Sequence, residues 1–144
     1  MGDNILVCDY MRLSSVFIYE EDTLSNAIQA MKSFDIDRIS IIKKDFSIVG
    51  YIDNKRIKDI LKEKAITNTE TIKNTQIKKI IKDHNFPITL YPKMKVINAY
   101  SAMKCFNIKC LPVVDNPWEK KIIGFLWLDD ILPIVEKNYI KIPV

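Results

Sequence analysis

Two adjacent acids, Asp129 and Asp130, interrupt the apolar stretch IIGFLWLDDIL (residues 122–132), where a strand-like run gives way to helical spacing. Paired carboxylates at such a junction can serve as a general acid and base, as ligands for a hard cation, as helix-start acids, or as a corner that accepts hydrogen bonds from ribose hydroxyls. Metal binding fits poorly, because adjacent residues diverge on a helix and no third hard ligand follows nearby. Catalysis lacks partners. The single histidine, His84 in the polar segment KDHNF, has no nucleophile spaced around it, and no phosphate loop or catalytic motif is present. The three cysteines, Cys8, Cys105 and Cys110, form no CxxC pair, which argues against both a zinc site and a disulfide framework. Helix-start acids, worth roughly 0.3–1 kcal/mol each at the positive end of the helix dipole, and a ribose corner both remain open.

The elements that must position these acids belong to a chain of 144 residues, 48% hydrophobic, enough for a sizeable core. Its formal charge is +4, from 22 Lys and Arg against 18 Asp and Glu. The lysines are scattered over both halves, which argues for a solvated surface and against nucleic acid. No uncharged apolar run approaches the roughly 18 residues of a membrane span. The first residues, MGDNILVCDYM, lack the basic start and apolar centre of a signal peptide. Free thiols in a reducing cytoplasm are the expectation.

The chain repeats itself. NAIQAMKSFDI at residues 26–36 returns as NAYSAMKCFNI at 98–108, an offset of 72 with seven identities in eleven positions. Tyr19 recurs as Tyr91 at the same offset. The glycines Gly50 and Gly124 are 74 apart, two residues having been added in the turn around Asn116, Pro117, Trp118 and Glu119. Leu24, Ala27, Ile28, Met31 and Phe34 share one helix face, as do Val96, Ala99, Tyr100, Met103 and Phe106. Asp22 or Thr23 is placed to cap the first of these helices. β-Branched runs follow at 39–42 and 48–52, and again at 111–114 and 122–126, each pair reading as a hairpin. Helices over about 55–64 and 128–137 close the copies, and short strands at 16–19 and 88–90 open them. The spacing therefore predicts two β-α-β-β-α repeats of α/β (α+β) class. Residues 1–65 form the first repeat with an N-terminal helix, 66–75 (ITNTETIKNT) a polar linker, and 76–144 the second repeat with a C-terminal tail. Small sheets of this kind bury both faces when two repeats pack, which predicts pseudo-two-fold symmetry.

The β-α-β-β-α order, the LPVVD run at 111–115, the glycine opening each last strand and the tandem arrangement resemble a pair of cystathionine β-synthase (CBS) domains, a Bateman module. The D-x-M segment Asp9-Tyr10-Met11 adds to the resemblance, which covers nearly the whole chain, to about Lys137. It implies an adenosine-type ligand (AMP, ADP, ATP or similar) held in an inter-repeat cleft, and no other cofactor. In this family the last strand and helix commonly read Gly-apolar-apolar-Thr/Ser-x-x-Asp, the acid meeting the ribose hydroxyls. By that pattern Asp130 takes the ribose place, and Trp127 replaces the hydroxyl residue, either stacking on adenine or filling its space. Leu111, Pro112 and Ile88 lie where strand edges read adenine, the proline suiting an edge that needs no N–H. Lys109 lies where a phosphate-facing base is often found. The first copy has Asp53 in place of the hydroxyl residue, Arg56 in place of the acid and Ser40 in place of Pro112. The cluster Lys55, Arg56 and Lys58 could attract phosphates, and its position at a helix start calls for an anionic neighbour.

Two classes of function follow. One is a regulatory module whose ligand biases an associated enzyme, channel or transporter. The other is a structural dimerisation module whose clefts bind no nucleotide. No catalytic residues and no metal ligands are assigned. Ala27, Ala30, Ala99 and Ala102 would permit close helix approach in an isologous homodimer.

Overall fold

The computed structural model describes residues 4–63, 69–80 and 87–140. They divide into two compact units. One combines the described residues of Met1–Ser14 and Ile88–Val144; the other lies within Ser15–Pro87.

In the second of these units a three-stranded sheet has the order β1 (Phe17–Tyr19), β2 (Arg38–Ile42), β3 (Ile48–Asp53). β1 runs parallel to β2, and β2 antiparallel to β3. Helix α1 (Leu24–Phe34) crosses between β1 and β2, and α2 (Asn54–Glu63) follows β3. Thr23 is the cap of α1: its hydroxyl accepts the Asn26 N–H at 3.2 Å. Asp22, the other candidate, accepts the Tyr19 N–H at 2.8 Å instead. Two short helices, α3 (Thr69–Lys73) and α4 (Ile77–Ile80), come next. The described part of the polar segment, residues 69–75, is thus not a plain linker. Its composition hid a helical turn in which Thr75 donates its hydroxyl to the Thr71 carbonyl.

The other unit repeats the plan with α5 (Val96–Cys105), β4 (Cys110–Val114), β5 (Ile122–Trp127) and α6 (Leu128–Tyr139). The hydrophobic cores correspond residue by residue. Leu24, Ala27, Met31, Ile39, Ile41, Ile52 and Ile57 are matched by Val96, Ala99, Met103, Leu111, Val113, Leu126 and Ile131, all buried. Both hairpins carry a bulge at the same place, Ile41/Ile42 and Val113/Val114. Both first helices end on a left-handed residue, Asp35 (φ 53) and Asn107 (φ 54), types whose short polar side chains tolerate that region. Ile36 and Ile108 then donate back to the Met31 and Met103 carbonyls at 3.0 and 2.8 Å.

Five expectations change. The strand at 88–90 shrinks to a single parallel bridge between Leu90 and Val113, where β1 makes three pairs. Pro112 explains this. Leu90 donates to the Pro112 carbonyl at 2.9 Å, but the proline has no N–H to return to the preceding residues, so the ladder stops. Pro112 is consequently not at an edge; β4 lies between Leu90 and β5. Phe106 leaves the apolar helix face, being 59% exposed just after α5. Ala27 and Ala99 are fully buried within their own units, so only Ala30 and Ala102 are left partly exposed. In place of the expected N-terminal helix, residues Val7–Asp9 form a short 3-10 turn.

That turn belongs with the second repeat. Val7 and Cys8 donate to the carbonyls of Met94 and Pro92, and Val96 donates to Ile5, all at 2.9 Å. Residues 75–78 make the same set with the first repeat: Ile77 to Asp22, Lys78 to Glu20, and Leu24 to Thr75. Segments 5–8 and 75–78 are therefore equivalent, and each is stitched to the opening loop of the helix in its own unit. Further along, Arg12 pairs with Phe125 on the free side of β5, with N–H···O distances of 2.8 and 2.9 Å. Gly124 makes room for this pairing: a Cβ there would lie 3.0 Å from Met11 Sδ and 3.2 Å from the Arg12 carbonyl oxygen.

Candidate functional site

The corner at the end of β5 is built within one unit. Cys110 opens β4 directly opposite Trp127, which closes β5. The Lys109 carbonyl accepts the Leu128 N–H at 2.8 Å and so fixes the first residue of α6 against the start of β4. Trp127 sits at the N-cap in extended backbone and offers no side-chain cap. Asp129 and Asp130 follow in the first turn; Asp129 faces solvent and Asp130 turns back toward the sheet.

Asp130 is the centre of the site. Its Oδ1 accepts a hydrogen bond from Arg12 Nη2 at 2.5 Å, an ion pair whose side chains are 22% and 63% exposed. Its Oδ2 is buried and has no hydrogen-bond partner among the described residues. The carboxylate is also felt at Cys110, whose thiol is pushed from its ordinary 9.0 up to about 12, first by burial and second by the charge of Asp130. The corner thus joins a half-satisfied carboxylate, an arginine from the N-terminal segment and a protonated thiol. Nothing in it is nucleophilic at neutral pH. Among the described residues no cluster of three or more His, Cys, Asp or Glu could hold a metal.

The other sequence-derived residues take different places. Leu111 is fully buried and its side chain belongs to the core. Pro112 is buried, with its carbonyl engaged by Leu90. Ile88 is half-buried against the same core, on the Leu90 side of β4. Lys109 is exposed and Trp127 half-buried. His84 lies outside the described residues. The sequence reading missed Arg12, and the hydrophobic pattern gave no signal for it.

The first repeat's corner is chemically different. Asp53 Oδ1 accepts the Arg56 N–H at 2.8 Å, capping α2 and supplying the anion that the cluster Lys55, Arg56 and Lys58 calls for. Arg38 lies 4.1 Å over the Tyr51 ring. Two surface clefts also lie in this unit. One, of about 260 Å³, is lined by Tyr19, Glu21, Asp22 and Lys44; the other, of about 380 Å³, by Asp22, Asn26, Gln29, Ala30, Ser33 and Phe34. Both are open surface features, and neither contains a residue of either corner, so the corners are judged by their chemistry and not by cleft size.

Comparison with known proteins gives these observations a family. Residues 7–63 match the CBS domain model. A CBS domain-containing protein of Dictyostelium discoideum is 24% identical over 144 aligned positions, covering 96% of this chain and 97% of the relative. A homoserine O-acetyltransferase of Methanosalsum zhilinae is 26% identical over 90% of this chain, which spans 24% of that enzyme's length. The CBS domain pair of protein MJ0100, solved with 5′-methylthioadenosine and S-adenosyl-L-methionine, superposes with a TM-score of 0.65 at 20% identity, covering 92% of this chain and 97% of that one. CBSX2, solved with AMP, gives 0.68 at 14% identity, covering 92% and 97%. Residues 7–63 thus belong to the CBS domain family, and the second repeat carries the same fold, as in the CBS domain pair of MJ0100.

Proposed function

We propose that the chain is a regulatory module that binds an adenosine-type ligand at the Asp130 corner and signals to an associated protein. The observation that carries this reading is the Asp130 carboxylate, one oxygen of which is buried without a hydrogen-bond donor. A buried acceptor left unpaired costs about 1–3 kcal/mol, and a ligand hydroxyl would recover it. The adenosine-type molecules solved with MJ0100 and CBSX2 support this ligand class. In this reading Trp127, Lys109 and the backbone near Leu111, Pro112 and Ile88 bound the ligand. The first repeat has Arg56 and a capping Asp53 at the matching places, so one corner is competent.

The module is non-catalytic and acts in the cytoplasm. It pairs with a second copy through the partly exposed Ala30 and Ala102 faces, and relays to an enzyme, channel or transporter. The partial match to acetyltransferases supports an enzyme as the associated protein. One observation favours a second reading, a structural module that binds no nucleotide: Arg12 already holds Asp130.

A thermal-shift panel of AMP, ADP, ATP, S-adenosylmethionine and NAD separates the two readings, since a ligand selective for the folded state raises Tm by mass action. Asp130→Ala is expected to weaken the binding ligand by about 1.5–3 kcal/mol, the worth of hydrogen bonds to a charged group. Unchanged affinity would sink the ribose role. Trp127→Thr reports the indole's part: affinity falls if the ring stacks on adenine and rises if it obstructs.

A further inference from the structure

Arg12 is held at two points. Its backbone pairs with Phe125 on β5, and its guanidinium reaches Asp130 on α6. Oδ2 of Asp130 is buried without a donor and Oδ1 is held by Arg12, so an incoming molecule reaches the carboxylate only when the guanidinium moves. We propose that Arg12 is a built-in competitor for the Asp130 carboxylate, so that a ligand bearing vicinal hydroxyls must draw Asp130 from Arg12 and thereby loosens the N-terminal segment from β5. This rests on the ligand class proposed above. A diol donates two hydrogen bonds with fixed spacing, and a carboxylate accepts both only when the guanidinium moves aside. The pair is well suited to exchange. Its arginine is mostly solvated, so the contact is weak enough to be broken by a ligand yet strong enough to bias the segment. The loosened segment is the stretch of chain that continues through Ser14 into the first repeat, so ligand occupancy acquires a route to a change in chain conformation.

Hydrogen exchange at the Arg12 and Phe125 amides, without ligand, tests the latch itself in wild type, Arg12→Met and Asp130→Asn. Methionine keeps the apolar stem of the arginine and removes the fork. Faster exchange at both amides in both variants is expected, and unchanged exchange overturns the latch whatever binds. Titration with AMP and with adenosine then tests competition. Arg12→Met is expected to bind both about two- to five-fold more tightly, the release of one exposed ion pair, and wild-type exchange at Arg12 is expected to quicken on binding. Weaker AMP binding with unchanged adenosine binding would make Arg12 a phosphate ligand and overturn competition, as would equal affinities throughout. If neither protein binds either molecule, the ligand reading fails with the competition, while the ligand-free exchange still reports on the latch.

Discussion

The two repeats begin their last helices with the same backbone and opposite uses of an acid. Asn54 donates to the Asp37 carbonyl at 3.0 Å, and Leu128 donates to the Lys109 carbonyl at 2.8 Å, so both helices are launched from the same point of their hairpins. In the first repeat the acid, Asp53, stands at the end of the strand and spends its oxygen on the helix's own Arg56 N–H. In the second, the acid stands three residues later as Asp130 and faces a different stretch of chain, while Trp127 leaves the helix without a side-chain cap. Moving one carboxylate by less than a helical turn converts a stabilising cap into an exchangeable contact. A cap is bound to what it stabilises; Asp130 can change partner.

Several measurements can break or sharpen that contrast. The largest effect lies beneath it, in the cores that hold both corners. Leu126 and Ile52 are equivalent and fully buried. Leu126→Ala and Ile52→Ala are each expected to cost about 2–5 kcal/mol by chemical denaturation. A loss under about 1 kcal/mol at either position would mean that its corner is not anchored as described. Next is the thiol beside Asp130. The folded protein keeps Cys110 protonated up to about 12, whereas the unfolded chain loses that proton near 9. The stabilisation is present below pH 9 and is lost as pH rises from 9 toward 12. Between pH 10 and 11 the wild type should lose about 1.4 kcal/mol more than Cys110→Ala, one proton's worth of linkage. Parallel pH curves for the two proteins would show that Cys110 does not feel its surroundings in this way. Smallest is the cap. Asp53→Ala should cost about 1 kcal/mol of stability and leave any ligand affinity untouched. An affinity change there would give the first corner a role that its chemistry does not suggest.

The repeat made most of the fold legible. Once residues 26–36 and 98–108 were aligned, one reading of helix and strand periods served twice, and both cores followed from it. The misses have physical causes. Pro112 and Ser40 occupy equivalent places, and only the geometry reveals that a missing N–H trims a whole strand to one bridge. Helix α3 consists of Thr, Glu, Ile and Lys, whose polar look imitates a linker. Phe106 continued a helical stripe numerically, but α5 ends one residue earlier, at Cys105, and the ring lies in solvent, whereas Phe34 is still inside α1. In the site, Asp130 was legible because its type and spacing carried chemistry. Arg12 was not, because its partner lies 118 residues away and an isolated arginine in a short irregular segment has no periodicity to betray it.

The crossed stitching of segments 5–8 and 75–78 has a consequence for the order in which the molecule can be assembled. A ribosome that has released residue 80 has delivered every described part of the first repeat's sheet and helices, including the strip at 75–78 that closes over its opening loop. The strip at 5–8, although made first, has nothing to bind until residues 92–96 emerge, and Arg12 must wait for Phe125 and Asp130. The segment 5–12 is therefore the last of these pieces to find its place. Its attachment is long-range and slow to close, and it completes only after residue 130 has emerged.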